Sequence, residues 1–287
     1  MLNKKYSFLK PIKNSNLTRI GRNEDGGYVV DFEIIKKCKT LITFGLGPDW
    51  SFELDYIKKN KNLEIYLYDH TVSRVPYVKD VWKYFRRFIT FRATYEAVSA
   101  RVRYLNNYRK FLNLKNVNFF KEKITDTSKF EKTPRSYIEA PDVRGIGAHV
   151  KATAETNLDK VFSRINSQEE VVLKSDIEGS EYEIIDQIIK YSNRIKMSII
   201  EFHWLDKKEE IFLESIKKLK DYFEIIHIHG NNHYPKLDSG LPIILEITFL
   251  NKKYIEGKKV EYINKFPVKD LDYPCNPHKE DLTFSFE

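Results

Sequence analysis

Seven short, largely apolar runs punctuate the chain. They lie at 41–47 (LITFGLG), 63–68 (LEIYLY), 117–121 (VNFFK), 170–175 (EVVLKS), 197–202 (MSIIEF), 223–228 (FEIIHI) and 242–250 (PIILEITFL). A strand wetted on one face alternates apolar and polar residues, whereas one buried on both faces reads as a continuous apolar run. Helical patterns separate most of these runs. SFELDYIKK (51–59) opens with Ser51 as a helix cap and Glu53 in the first turn. LDKVFSRIN covers 158–166, a stretch at 179–191 spaces Tyr182, Ile185, Ile188 and Ile189 for a helix, and 207–221 is charged and helical. Strands alternating with helices predict an α/β sheet covered on both faces. The sixth and seventh runs are joined by HGNNHYPKLDSGL, which suits a loop, so the last strand is expected to be antiparallel. Residues 125–156, with Pro134, Pro141, Gly145 and Gly147, read as loop with short elements. The Pro-rich tail from 262 is expected to lie across the surface. No repeat and no linker divides the chain, which predicts one domain over 1–287.

Composition narrows the function classes. At 41% hydrophobic residues over 287 positions, the chain can bury a sizeable core. Two cysteines, Cys38 and Cys275, exclude a disulfide framework and a cysteine-based zinc cluster. No apolar run approaches the roughly 18 residues of a membrane span. The opening MLNKKYSFLKPIKN lacks the apolar core of a signal peptide. A soluble protein of the reducing cytoplasm is expected.

The formal net charge is +8, and one segment carries it. Residues 71–115 hold 11 Lys/Arg against 2 acids, leaving 38 basic and 39 acidic residues elsewhere. Within it, 76–113 is helical in pattern and rich in Tyr, Phe and Arg, which predicts a helical insertion. Four readings stay open: a solvated face, a cap whose Arg86 and Arg87 hold a nucleotide-sugar diphosphate, a nucleic-acid-binding face, or a homodimer surface built on Trp82, Tyr84, Phe85 and Phe88. The even charge balance elsewhere speaks against nucleic acid.

In a doubly wound sheet, ligands bind beyond the carboxyl ends of the strands. The residues there are Gly45 and Gly47 after the first run, Asp69 after the second, and Lys123 with Ile124 near the end of the third. Asp176 and Glu178 follow the fourth, Glu201 and His203 the fifth, and His229, Asn231 and Asn232 the sixth. Two glycines in FGLGPDW permit close approach of backbone to a ligand. Trp50 stands where a dinucleotide fingerprint needs its third glycine, which disfavours NAD and leaves a nucleoside without phosphates. Asp69 falls 24 residues after Gly45, where a carboxylate can accept from both hydroxyls of a ribose. The run VVLKSDIEGSEYEIID (171–186) puts Lys174, Asp176 and Glu178 on one side of an extended chain.

Within that run, KSDIEGSEY (174–182) closely resembles the signature of the FkbM-type S-adenosylmethionine-dependent methyltransferases: lysine, hydrophobic, aspartate, hydrophobic, glutamate, glycine, small, glutamate. TNLDKVF (156–162), RIGRNEDGGYVV (19–30), FGLGPDWSFE and LDYPCNP (271–277) resemble further segments of that family. Ser175 departs from the pattern, and 71–115 and 128–150 lie outside the likeness. The resemblance implies a class I, Rossmann-like methyltransferase fold with seven mostly parallel strands and the last antiparallel. It implies S-adenosyl-L-methionine as methyl donor and S-adenosylhomocysteine as product. Gly45 and Gly47 would border the methionine part, Asp69 would bind the ribose, and the turn of Asp25, Gly26 and Gly27 would close over the cofactor, with Ile124 and Asp176 as further contacts. Family members mostly methylate hydroxyls of sugars and other natural products, often within polysaccharide gene clusters. A nucleotide-linked or capsular polysaccharide sugar is therefore the expected acceptor, and an RNA methyltransferase using 71–115 is the alternative.

A sugar hydroxyl is a weak nucleophile, so a positioned base should take its proton. The candidates are His203, His229, Asp176 and Glu201, with a histidine favoured near neutrality. Asp176 with Glu201 could instead hold a divalent ion that polarises the hydroxyl. Glu178, Asn231 and Asn232 suit sugar hydroxyls, since a side-chain amide both donates and accepts.

Overall fold

The computed structural model describes residues 1–71, 74–126, 154–255 and 261–286. A 3-10 turn (Lys4–Leu9) leads to an antiparallel hairpin of β1 (Leu17–Ile20) and β2 (Tyr28–Asp31). Asp31 then caps α1 (Phe32–Lys37), accepting from the Ile34 amide at 3.0 Å. There follow β3 (Thr40–Phe44), α2 (Ser51–Lys59), β4 (Glu64–Tyr68), α3 (Arg74–Ile89), α4 (Tyr95–Leu112) and β5 (Val117–Phe120). Two short strands, β6 (Lys123–Ile124) and β7 (Glu155–Thr156), pair with each other. Next come α5 (Leu158–Ser163), β8 (Val171–Ser175), α6 (Ile185–Lys190), β9 (Ile195–Phe202), α7 (Leu205–Lys220), β10 (Phe223–Gly230) and β11 (Leu245–Asn251). The tail closes on a two-stranded ribbon of β12 (Lys265–Phe266) and β13 (Phe284–Ser285).

The seven predicted runs are the seven strands of one sheet, in the order β10-β11-β9-β8-β3-β4-β5. β11 is antiparallel to both neighbours, and the pairings from β9 through β5 are parallel. This is the class I methyltransferase arrangement, and its topological switch lies between β3 and β8. Consecutive residues explain the continuous apolar runs. Ile42 and Leu173 belong to a core with α5, α6, α7 and the tail residues Phe266, Phe284 and Phe286. Their neighbours Leu41 and Val172 belong to a second core with α1, α2, α4 and the first hairpin.

Local chemistry modifies several expected elements. Ser51 starts α2 but does not cap it; the Asp49 carboxylate accepts from the Ser51 amide (3.0 Å) and hydroxyl (2.9 Å). The basic aromatic segment is two helices packed on each other, α3 outside and α4 inside. Trp50, where a fingerprint glycine would stand, stacks on Phe111 and touches Tyr104 and Tyr108, fixing α4 to the core. The expected helix at 179–191 is broken into a 3-10 turn (Glu181–Glu183) and α6. Its cause is Glu181, whose carboxylate turns back to the Gly179 amide (2.8 Å). The loop expected at 125–156 falls mostly outside the described residues. Among the described residues, no helix is long and apolar enough to cross a membrane.

Candidate active site

The two glycines after β3 do different things. Gly45 has a positive φ, and a Cβ there would lie 1.7 Å from the Asp176 carbonyl oxygen. It is glycine so that β3 can pass β8 at the switch point. Gly47 also has a positive φ, but a Cβ there would meet nothing within 4 Å. Of the pair, Gly47 is the one that leaves room for a ligand.

Asp69 is buried at the end of β4, and both its oxygens have partners. One accepts from the amides of Leu46 (2.8 Å) and Gly47 (3.0 Å), the other from the amide (2.7 Å) and hydroxyl (2.6 Å) of Thr71. The sequence places an open ribose acceptor here; in the fold the carboxylate first braces the glycine turn. The turn of Asp25, Gly26 and Gly27 packs on the same loop, since a Cβ on Gly26 would lie 2.2 Å from the Asp49 carboxylate. The Asp25 amide donates to the Cys275 carbonyl, so this turn bridges the glycine loop and the tail. Ile124 is buried in the core with α5 and α6.

The strongest convergence lies between β8 and β9. The amide of His203, buried just after β9, donates to Glu181 at 2.6 Å, and its Nδ1 lies 3.3 Å from the same oxygen. The ring is thereby held with Nε2 turned to the rim, 3.7 Å from both Asp176 and Glu178. Burial works to lower the imidazole's pKa. The Glu181 hydrogen bond and the charges of Glu201, Glu181 and Asp176 override it, holding His203 well above its usual value. Glu201, buried on β9, is pushed well up by burial and by the neighbouring Asp176. Asn231 donates to Glu201 at 2.9 Å, and the Tyr28 hydroxyl reaches Asp176 (3.3 Å) and Glu201 (3.4 Å). Asn231 is thus buried in the support of Glu201 and does not face outward as a sugar ligand.

Two non-glycine residues adopt positive φ at this point, Glu178 (55°) and Trp204 (62°). Such conformations cost energy and cluster at functional sites. Trp204 packs its indole over Gly179 and meets Tyr234 edge-on at 5.3 Å, giving the rim an aromatic wall beside His203. Below, the buried Lys174 lies 3.7 Å from Glu53. Burial opposes its charge, but Glu53, Asp176, Asp49 and Glu201 hold the ammonium above its usual value.

The β10 end of the rim is closed. His229 is buried, with Nδ1 3.1 Å from Glu246 and Nε2 3.2 Å from Asp281 of the tail. Cys275 contacts Glu246 from the tail as well. The Asn232 side chain donates to the carbonyls of Asn276, Lys279 and Glu280 and accepts from the Asn276 amide. His227 pairs with Asp272 at 3.1 Å. The expectation that His229 serves as base and Asn232 as sugar ligand is therefore corrected: both hold the tail, which covers them.

Among the described residues, two groups bring three potential metal ligands within 4.8 Å of one another: Asp176, Glu178 and His203, and the buried His229, Glu246 and Cys275. The expected pair, Asp176 with Glu201, is engaged by Tyr28, and Glu201 is further turned to Asn231. In the second group the ligand atoms are engaged with one another, His229 and Cys275 each with Glu246. Arg86 and Arg87 are exposed on the outer helix α3. The sequence did not single out Tyr28, Trp204, Tyr234, Glu246 or Asp281. Glu181, within the signature, was the one such partner that its motif position could have revealed.

Among solved structures the chain is similar to the Methanococcus jannaschii fibrillarin pre-rRNA processing protein, with 11% identity and TM-score 0.38 over 76% of this chain and 68% of that one. It is also similar to precorrin-6y C5,15-methyltransferase of Geobacter metallireducens, with 12% identity and TM-score 0.33 over 74% and 80%. Superpositions this loose carry no weight for the site. No curated protein matches the chain in sequence. The family described as "Methyltransferase FkbM domain" matches residues 11–231, which take in the first hairpin, the glycine turn, the β8 signature, His203 and Asn231. With well over half of its length matched, the chain belongs to the FkbM family of S-adenosylmethionine-dependent methyltransferases.

Proposed function

We propose that this enzyme is an O-methyltransferase acting on a sugar hydroxyl, of a nucleotide-linked or capsular polysaccharide sugar, in the cytoplasm. One observation carries the reading: His203 Nε2 faces the rim between Asp176 and Glu178, beside the aromatic wall of Trp204 and Tyr234. The apolar face of a pyranose suits an indole, and carboxylates suit its hydroxyls.

The bound cofactor supplies an electrophilic methyl. The chain must hold the acceptor oxygen in line with it and remove the hydroxyl proton. Glu178 and Asp176 orient the acceptor hydroxyls, and Trp204 sets the plane of the ring. His203 Nε2 takes the proton as the oxygen–methyl bond forms and the sulfur–methyl bond breaks, and Glu181 at Nδ1 stabilises the imidazolium. The proton leaves to solvent past the exposed Glu178. Because its neighbours raise the His203 value, the base form gains population as pH rises through it. Gly47 leaves room for the cofactor beside the turn, and ribose hydroxyls reach Asp69 by replacing Thr71.

The test pairs two measurements. Calorimetry should show S-adenosylhomocysteine binding to the native chain, and a screen of nucleotide sugars with labelled cofactor should find an acceptor. Absence of binding would remove the cofactor assignment. Binding with label transferred only to RNA or to a nitrogen acceptor would remove the sugar.

A further inference from the structure

The α3–α4 hairpin presents an exposed apolar surface. α4 is the inner helix, fixed by Trp50 against Tyr104, Tyr108 and Phe111. α3 rests on it through Tyr84, which accepts Arg101 over its ring at 4.4 Å, and through Phe88 against Tyr95. The other side of α3 carries Trp82, Phe85 and Ile89, at helical spacing i, i+3 and i+7, so the three form one ridge. They are 61%, 42% and 60% exposed, and Phe91 in the turn between the helices is 98% exposed. Phe91 also has a positive φ of 55°, a conformation that favours glycine or asparagine. The chain accepts that strain and obtains no packing from the ring in return. Exposed Lys79, Lys83, Arg86, Arg87 and Arg92 flank the ridge.

A contiguous apolar ridge bordered by basic side chains is the pattern of a helix that lies in the interface of an anionic bilayer. We propose that this hairpin seats the enzyme on an anionic lipid surface, with Trp82, Ile89 and Phe91 entering the headgroup–acyl boundary and the flanking Lys and Arg residues on the headgroups. Charge complementarity selects this occupant. A second copy joined through the same face would oppose two segments that each carry 11 Lys/Arg and 2 acids. Nucleic acid would use the basic flanks and could stack on an aromatic ring, but would leave the exposed aliphatic Ile89 without an apolar partner.

Sedimentation of the full-length chain with vesicles tests this. Vesicles of phosphatidylglycerol and phosphatidylcholine in equal parts should capture the protein at physiological salt, and pure phosphatidylcholine should capture at least about tenfold less. Trp82→Gln with Ile89→Gln, which keeps every charge, should weaken capture by about tenfold or more. Arg86→Glu with Arg87→Glu should weaken it at least as much. All these side chains are exposed, so circular dichroism and S-adenosylhomocysteine binding should stay native in the variants. No capture by the anionic vesicles overturns the proposal. So does capture indifferent to the apolar pair, which would be unspecific charge attraction, and so does an oligonucleotide that displaces the protein from vesicles. Self-association lost in the apolar pair, with no vesicle binding, would assign the ridge to a second copy.

Discussion

His203 and His229 stand at the same rim of the same sheet, and by most measures they are alike. Both are buried, and both are held above the usual imidazole value by carboxylates that override burial. Each has a glutamate at Nδ1: Glu181 for one, Glu246 for the other. They differ at Nε2. That of His203 faces Asp176 and Glu178, and the Glu178 side chain is 64% exposed. That of His229 faces Asp281, with the tail from Cys275 to Asp281 laid over it. Burial and a raised pKa mark both a candidate base and a structural clasp; what covers the second nitrogen separates them.

Replacing each histidine is the most direct way to break this comparison. His203→Ala should lower turnover by about 10² to 10⁴, the usual contribution of a general base, with S-adenosylhomocysteine binding intact. His229→Ala should leave the turnover of the folded fraction within a few-fold of native. Equal losses in both, measured as kcat on the folded fraction, would end the distinction. The cost of His229→Ala falls on stability instead. It leaves the buried Glu246 and the partly buried Asp281 without their cation, which costs about 3–5 kcal/mol. The pH dependence has a definite sign. The folded value of His229 is raised, so its contribution is fully present below the ordinary value of 6.5 and is lost as pH rises through the raised one. The Tm gap between native and His229→Gln should therefore be widest below pH 6.5 and shrink in alkaline buffer. A gap that grows with pH would mean that His229 is buried neutral.

The tail that makes the difference is also what the sequence hid. Strand positions were legible because each run is apolar on both faces, as the separate cores of Leu41 and Ile42 show. The rim positions followed from topology, and the signature residues Asp176 and Glu178 do come together with His203. Asn232 and His229 sit at an equally good strand end, and nothing local tells them apart from His203. Their partners Asn276 and Asp281 lie 44 and 52 residues downstream, in a segment without periodicity. The bracing role of Asp69 was hidden for a related reason. A carboxylate after β4 can serve a ribose or a backbone, and only the fold brings the amides of Leu46 and Gly47 onto it. Trp50 showed in the sequence only an excluded dinucleotide; in the fold its ring also anchors α4.

The tail's hold can be loosened without touching either histidine. Asn232→Ala removes the side chain that receives the Asn276 amide and donates to three tail carbonyls. Leaving buried partners unsatisfied costs about 1–3 kcal/mol. Limited proteolysis should then cut within 272–283 sooner than in the native chain, while methyl transfer stays near native. A tail no more accessible than before would show that Asp281 and Asp272 clasp it sufficiently without Asn232.

The smallest effect is also the most discriminating, because it reads the His203 proton itself. Activity requires the neutral imidazole, so the acid limb of kcat/KM should lie above pH 6.5. Glu181 and Asp176 each raise the His203 value, so Glu181→Gln and Asp176→Asn should each move that limb to lower pH. Glu181→Gln sets an amide against the Gly179 N–H and weakens the turn, whereas Asp176→Asn leaves that bond alone. Agreement between the two separates the charge effect from a loosened loop. Substitutions around His229, such as Asp281→Asn, should leave the limb where it is. A limb that ignores Glu181 and Asp176 yet follows Asp281 would reverse the assignment, making His229 the group that takes the proton.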